Sequence, residues 1–108
     1  ALGQGVAALD EATDWLLGAY AQDPKTAVAG AVPYLKLWGV VAGGWQMARA
    51  ALVAKRRLDT GSDDADFYRA KLATARFFAE HILPLAHAYT PSIVEGAAST
   101  RALEEAMF

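Results

Sequence analysis

Apolar residues at the start of the chain recur at alternating steps of four and three: Leu2, Val6, Leu9, Thr13, Leu16 and Tyr20, with Leu17 beside them. That is the stripe of an amphipathic helix from Ala1 to about Gln22, with Gln4, Glu11, Asp14, Gly18 and Gln22 on the opposite side. Asp23-Pro24 ends it and can begin the next, because Asp is a favoured N-cap and proline loses nothing at the first helical position. The second segment runs from Pro24 to about Leu58. Pro33 inside it predicts a kink or short break near Val32, since an interior proline removes a hydrogen bond and crowds the preceding turn. Beyond it lie two apolar stripes, Leu35, Trp38, Ala42, Trp45 and Leu52 on one side and Val40, Gly43, Met47, Ala50 and Ala54 on another. A helix apolar on both sides must be covered on both sides. Lys55, Arg56 and Arg57 occupy its last turn, where positive charge complements the helix dipole.

Asp59-Thr60-Gly61-Ser62 reads as a turn, with Gly61 free to take a left-handed C-cap conformation and Ser62 or Asp63 able to cap a third helix. Tyr68, Leu72, Ala75, Ala79, Ile82, Ala86 and Tyr89 form its inward stripe, flanked by Phe67 and Phe78. Asp66, Arg69, Ala73, Arg76, Glu80 and His87 form its wet face. Pro84 should bend this helix, Pro91 should mark a boundary, and Gly96 closes the segment. Ser99 or Thr100 can cap a short last helix ending in Met107 and Phe108. The pattern predicts an all-α antiparallel bundle of three long helices, the second and third kinked at prolines, plus a short C-terminal helix.

Composition sharpens this. The 108 residues include 25 alanines and are 55% hydrophobic; alanine is the strongest helix former, so no sheet is expected. The length suits one domain. The absence of cysteine excludes disulfides and thiolate metal sites and fits a cytoplasmic location. Ten Lys and Arg against twelve Asp and Glu leave no broad basic surface for nucleic acid. The chain opens at Ala1 without the features of a signal peptide, and is expected to be a C-terminal fragment of something longer.

Candidate chemistry is sparse. His81 and His87 are six residues apart, whereas helical zinc pairs use three or four. Arg76 and Glu80 suit a surface ion pair. Glu80 and His81 diverge by about 100° and lack an orienting third group, so no catalytic constellation is read. Gly39, Gly43 and Gly44 each cost about 1 kcal/mol in a helix interior relative to alanine, which points to a close helix crossing with Trp38 and Trp45 filling the space around it. A membrane span is disfavoured: Lys36 and Arg49 bracket only a dozen residues, where about 20 are needed. The residues singled out for helix crossing or docking are Tyr34, Trp38, Gly39, Gly43, Gly44, Trp45, Phe67 and Phe78.

The run Ala31-Val32-Pro33-Tyr34-Leu35-Lys36-Leu37-Trp38-Gly39-Val40-Val41-Ala42-Gly43-Gly44-Trp45, followed by Ala48-Arg49-Ala50-Ala51-Leu52, resembles the extra C-terminal helical domain of a subgroup of bacterial acyl-CoA dehydrogenases. The stretch Asp66-Phe67-Tyr68-Arg69-Ala70-Lys71-Leu72, continuing to Pro84, is similar to the matching helix of that domain, and Leu103 to Phe108 resembles its end. The resemblance covers the chain from about Ala27 onward and is a packing signature. It implies a parent flavoenzyme that binds FAD and an acyl-CoA thioester, abstracts an α-proton with a glutamate, and passes electrons to an electron-transfer flavoprotein. None of those catalytic or cofactor motifs is in these residues, so no cofactor is expected in the fragment and no functional residue carries over. The implied partners are the rest of the parent chain and further copies in a homo-oligomer. The alternatives are an independent helical interaction or acyl-group-binding module, using a pocket between Trp38, Trp45 and Phe78, and attachment to a membrane surface.

Overall fold

The computed structural model describes residues 2–103 and 107. The regular elements among them are all helical: α1 (Leu2–Gln22), α2 (Pro24–Ala29), α3 (Ala31–Thr60), α4 (Ala65–Phe77), a π-helical turn (Phe78–Ile82), a 3-10 turn (Leu83–Leu85), α5 (Ala86–Glu95) and α6 (Ala97–Thr100). The expected helix start at Ala1 and the expected ending at Glu104, Glu105, Ala106 and Phe108 lie outside the described residues. α3 and α4, joined by a short turn, pack along each other; α1 packs on α5, α3 and α2, and α2 also meets α6.

The helix breaks differ in place from the sequence expectation. The second segment divides at Gly30, not near Val32, and Pro33 stands in the first turn of α3 where no backbone donor is required. A Cβ at residue 30 would lie 3.3 Å from Ile93 Cγ2 and 3.4 Å from Leu16 Cδ2, so the break is also a point of close packing. Around Pro84 the hydrogen-bond ladder changes pitch. The Leu83 N–H donates to the Phe78 carbonyl five residues back, and a 3-10 turn follows; together they absorb the donor that Pro84 lacks. Pro91 is not a boundary: it lies inside α5. Pro91 and His87 are both exposed, so the carbonyl deprived of its donor lies on the wet side.

The caps differ too. Asp64, not Ser62 or Asp63, precedes α4, and the Ser62 hydroxyl accepts from the Asp64 N–H at 3.1 Å. Gly61 takes φ 82° and closes α3. Ser99 and Thr100 stand in the last turn of α6, where their hydroxyls donate to the Gly96 carbonyl at 3.1 and 2.9 Å instead of capping a further helix. A Cβ on Gly96 would run into the Ser92 carbonyl, which explains glycine between α5 and α6.

The core is narrow and built from small side chains. Leu37 and Ile93 are its largest fully buried members, joined by Ala8, Ala12, Val41 and Ala86. On α1 the buried positions are Gly5, Ala8 and Ala12, while Val6, Leu17 and Tyr20 of the expected stripe are exposed. The inward face is therefore rotated toward the residues that allow closest approach: a Cβ on Gly5 would lie 3.3 Å from Val41 Cγ2. The molecule is correspondingly flat, 65 × 29 × 15 Å along its principal axes. Its radius of gyration is 18.7 Å, against about 13 Å for a compact domain of this length. Its accessible surface is 7441 Å², against roughly 5,800 Å² for a compact monomer of this mass.

Two polar features generate measurable consequences. Arg101 ties the end of α6 to the cap of α2: its Nη1 donates to Asp23 Oδ2 at 2.7 Å and to Thr26 Oγ1 at 3.1 Å, while Asp23 Oδ1 accepts from the Lys25 N–H. The Arg101 guanidinium, then the Thr26 hydroxyl, hold the Asp23 carboxyl below its ordinary value. A carboxyl lowered in the fold stabilises it above the unfolded value and loses that contribution as pH falls through the folded one. Arg101→Ala should therefore be less stable than the parent at neutral pH, with the gap narrowing as pH drops below about 4; a gap independent of pH in denaturant titrations contradicts the linkage. The Thr90 hydroxyl is buried without a hydrogen-bond partner. Replacing it with the isosteric valine removes that unmet demand, and Thr90→Val should raise the thermal midpoint, by up to about 1 kcal/mol in stability. A lowered midpoint would count against it.

Candidate functional site

α3 presents two seams on neighbouring faces, each with the three-and-four spacing of a helix that faces other helices. Leu37, Val41, Gly44, Ala48 and Ala51 run along the inner one, buried or half-buried. Leu35, Trp38, Ala42, Trp45, Arg49 and Leu52 run along the outer one, about 110° around the helix. Leu35 is 72% exposed, Leu52 61%, Trp45 52% and Trp38 48%. The stripe of large side chains thus lies outside, and the core falls between the two stripes read from the sequence. Size decides it. Glycine and alanine let α3 approach α4 and α1 closely, whereas a seam bearing two indoles would hold them apart.

The structure divides the singled-out residues into separate groups. Gly43 and Gly44 face the π-helical and 3-10 turns: a Cβ on Gly43 would lie 2.9 Å from Phe78 Cζ, and one on Gly44 3.0 Å from Leu83 Cδ1. Gly39 has no such neighbour within 4 Å. Trp38 and Trp45 flank the outer seam rather than the crossing, and the Arg49 guanidinium carbon stands 5.0 Å from the centroid of the Trp45 ring. Tyr34 turns toward α1. Its hydroxyl is 2.6 Å from Thr13 Oγ1, and since that hydroxyl already donates to the Leu9 carbonyl at 2.8 Å, Tyr34 is the donor. Phe67 is exposed on α4, edge-on to Tyr68 at 5.4 Å and beneath Lys71.

Two apolar grooves accompany these seams. One of about 340 Å³ lies between α3 and α4, lined by Gly44, Met47, Leu72, Phe78 and Leu83, with Arg76 at its edge. Arg76 donates to Glu80 at 2.7 Å, which holds the Glu80 carboxyl below its ordinary value. The other, about 330 Å³, runs between Leu17 and Tyr20 of α1 and Val28 and Tyr34. Phe78 lines the first and Trp38 and Trp45 line neither, so neither groove is the expected pocket joining all three. Among the described residues, no group of three His, Cys, Asp or Glu side chains is placed to hold a metal, and no helix is long and apolar enough to cross a membrane. The residues present also do not fit a flavin dinucleotide. Among the residues lining the two apolar grooves the one cation is Arg76, already paired with Glu80, and the groove holding Arg56 and Arg57 lies at the C-terminal end of α3, where the dipole repels anions.

With this geometry in view, the relatives are informative. Residues 1–104 match the family described as Acetyl-CoA dehydrogenase C-terminal like. The chain belongs to this family. It is 45% identical over 82 residues to the 3-methylmercaptopropionyl-CoA dehydrogenase of Ruegeria pomeroyi, covering 76% of this chain and 14% of that protein. It is 43% identical over 58 residues to the broad-specificity linear acyl-CoA dehydrogenase FadE5 of Mycobacterium tuberculosis, covering 52% of this chain and 10% of that protein. The chain thus spans a small fraction of the relatives it matches. No solved structure gives a significant match. Sequence reasoning placed the family but missed Leu37, Val41, Leu83 and Ile93 as the packing centre. The usable signal for the first two was the second heptad running through small residues.

Gly43 supplies the sharpest test of the α3 crossing. Leucine there must displace the Phe78 ring, and Gly43→Leu is expected to cost about 1–3 kcal/mol through overpacking. A thermal midpoint equal to that of the parent would contradict the close approach.

Proposed function

We propose that this chain is a non-catalytic helical domain of an acyl-CoA dehydrogenase, whose role is assembly: it packs against the remainder of the polypeptide or at a subunit interface. The reading rests on the family match over residues 1–104 together with one physical observation, a surface larger by roughly 1,600 Å² than that of a compact monomer. That excess is apolar where it is concentrated, on Leu17, Tyr20, Val28, Val32 and the outer seam of α3, with a second edge at Phe67, Phe77 and Leu85. Large exposed apolar areas mark surfaces made to be covered. FAD, the acyl-CoA thioester and the proton-abstracting base belong, on this reading, to the remainder of the longer chain.

In that longer chain, deletion of these residues should change the assembly size in sedimentation while flavin in the remaining protein is still reduced by acyl-CoA substrate. Loss of flavin reduction with assembly unchanged would overturn the reading. Titration of this chain with acyl-CoA thioesters of increasing length should leave tryptophan fluorescence flat. A saturable response would favour an acyl-binding module in the α3–α4 groove instead.

A further inference from the structure

The outer seam of α3 has three properties that together identify its occupant. Its spacing is that of a helix paired along its length: Leu35, Trp38, Ala42, Trp45, Arg49 and Leu52 rise about 26 Å with strict steps of three and four. Its register is self-complementary. In an antiparallel pair the two alternating positions of such a repeat share layers, and this seam then sets Leu35 beside Leu52, Trp38 beside Arg49, and Ala42 beside Trp45 of a second copy, each layer repeated by the two-fold axis. Aliphatic meets aliphatic, an indole meets a guanidinium, and the small residue meets the large one. The Arg49 side chain already lies against an indole within its own chain, so the exchange to Trp38 of the other copy keeps a cation–π contact.

Its solvent-side flank carries no charge. Val32, Gly39, Gln46 and Val53 recur there at seven-residue intervals, and in the antiparallel arrangement Val32 meets Val53 while Gly39 meets Gln46. Charged flanks are what select a different partner in paired helices, and here they are missing. A parallel pair would instead stack Arg49 on Arg49 at the axis. The surface of this chain exceeds that of a compact monomer of its mass by about twice the roughly 800 Å² that a standard interface removes from each partner.

We propose that the outer seam of α3 is a two-fold, antiparallel interface with a second copy of this chain. The inference deepens the assembly role proposed above by naming one contact, and it is measured on this chain alone, so that its failure leaves the flavoenzyme reading to its own tests. Sedimentation equilibrium should report a dimer. Trp45→Glu should raise the dimer dissociation constant by about tenfold or more with the helical circular dichroism unchanged, because residue 45 is half exposed in the single copy. The chain contains no cysteine, which allows the register to be read by cross-linking. The double variant Leu35→Cys, Leu52→Cys should form covalent dimers under mild oxidation, since the two positions lie too far apart on one rigid helix to pair within a chain. Leu35→Cys alone should not. A monomer at every concentration, a dimer indifferent to Trp45→Glu, or equal cross-linking by the single variant would overturn the proposal.

Discussion

The contact on which the rest of this structure depends is the approach of Gly43 and Gly44 to Phe78 and Leu83. Two adjacent glycines in the middle of a 30-residue helix forfeit about 2 kcal/mol of helix propensity. The forfeit is offset only if something large enters the space they vacate, and Phe78 and Leu83 do so from the segment where the partner helix changes pitch. Close approach fixes which side of α3 is inside. Once Gly44 faces Leu83, the three-and-four spacing forces Leu37, Val41, Ala48 and Ala51 onto the same side, and the two tryptophans onto the neighbouring, half-exposed face.

The irregular turn from Phe78 to Leu85 belongs to the same arrangement. Proline at residue 84 cannot donate to the ladder, and a straight α-helix through this point would leave the Glu80 carbonyl without its donor. The widened turn before it and the tightened turn after it restore the pairing, and they place Leu83 on the core side with Ala86 following it into the interior. A fault in one helix and a pair of faults in the other thus fit one another, and neither would be tolerated in an isolated helix.

This mutual fit explains what was legible in the sequence. Fold class, the end of α1 and the approximate end of α3 follow from alanine content, Asp23-Pro24 and Gly61, all of which act locally. The family could be read because aromatic, glycine and proline positions recur in fixed order. The inward face was not legible from hydrophobicity, because the outer seam of α3 is more apolar than the inner one and wins any ranking by side-chain size. The break at Gly30 was masked by Pro33, a stronger breaker in general that happens to stand in the first turn of a helix. Pro91 misled for the related reason that its cost depends on whether the orphaned carbonyl is wet, which spacing does not encode.

A domain that puts small residues inside and large ones outside inverts the usual economy of a globular protein. Among the described residues, Leu37 and Ile93 are the largest side chains buried outright, with Val41, Leu83 and alanines around them, and a core this thin leaves little margin. Covering the outer seam would place two tryptophans and two leucines in contact with apolar neighbours and add burial comparable to that of the existing core. For a slab 15 Å thick, association therefore adds stability to a fold that the inner seam of α3 already defines.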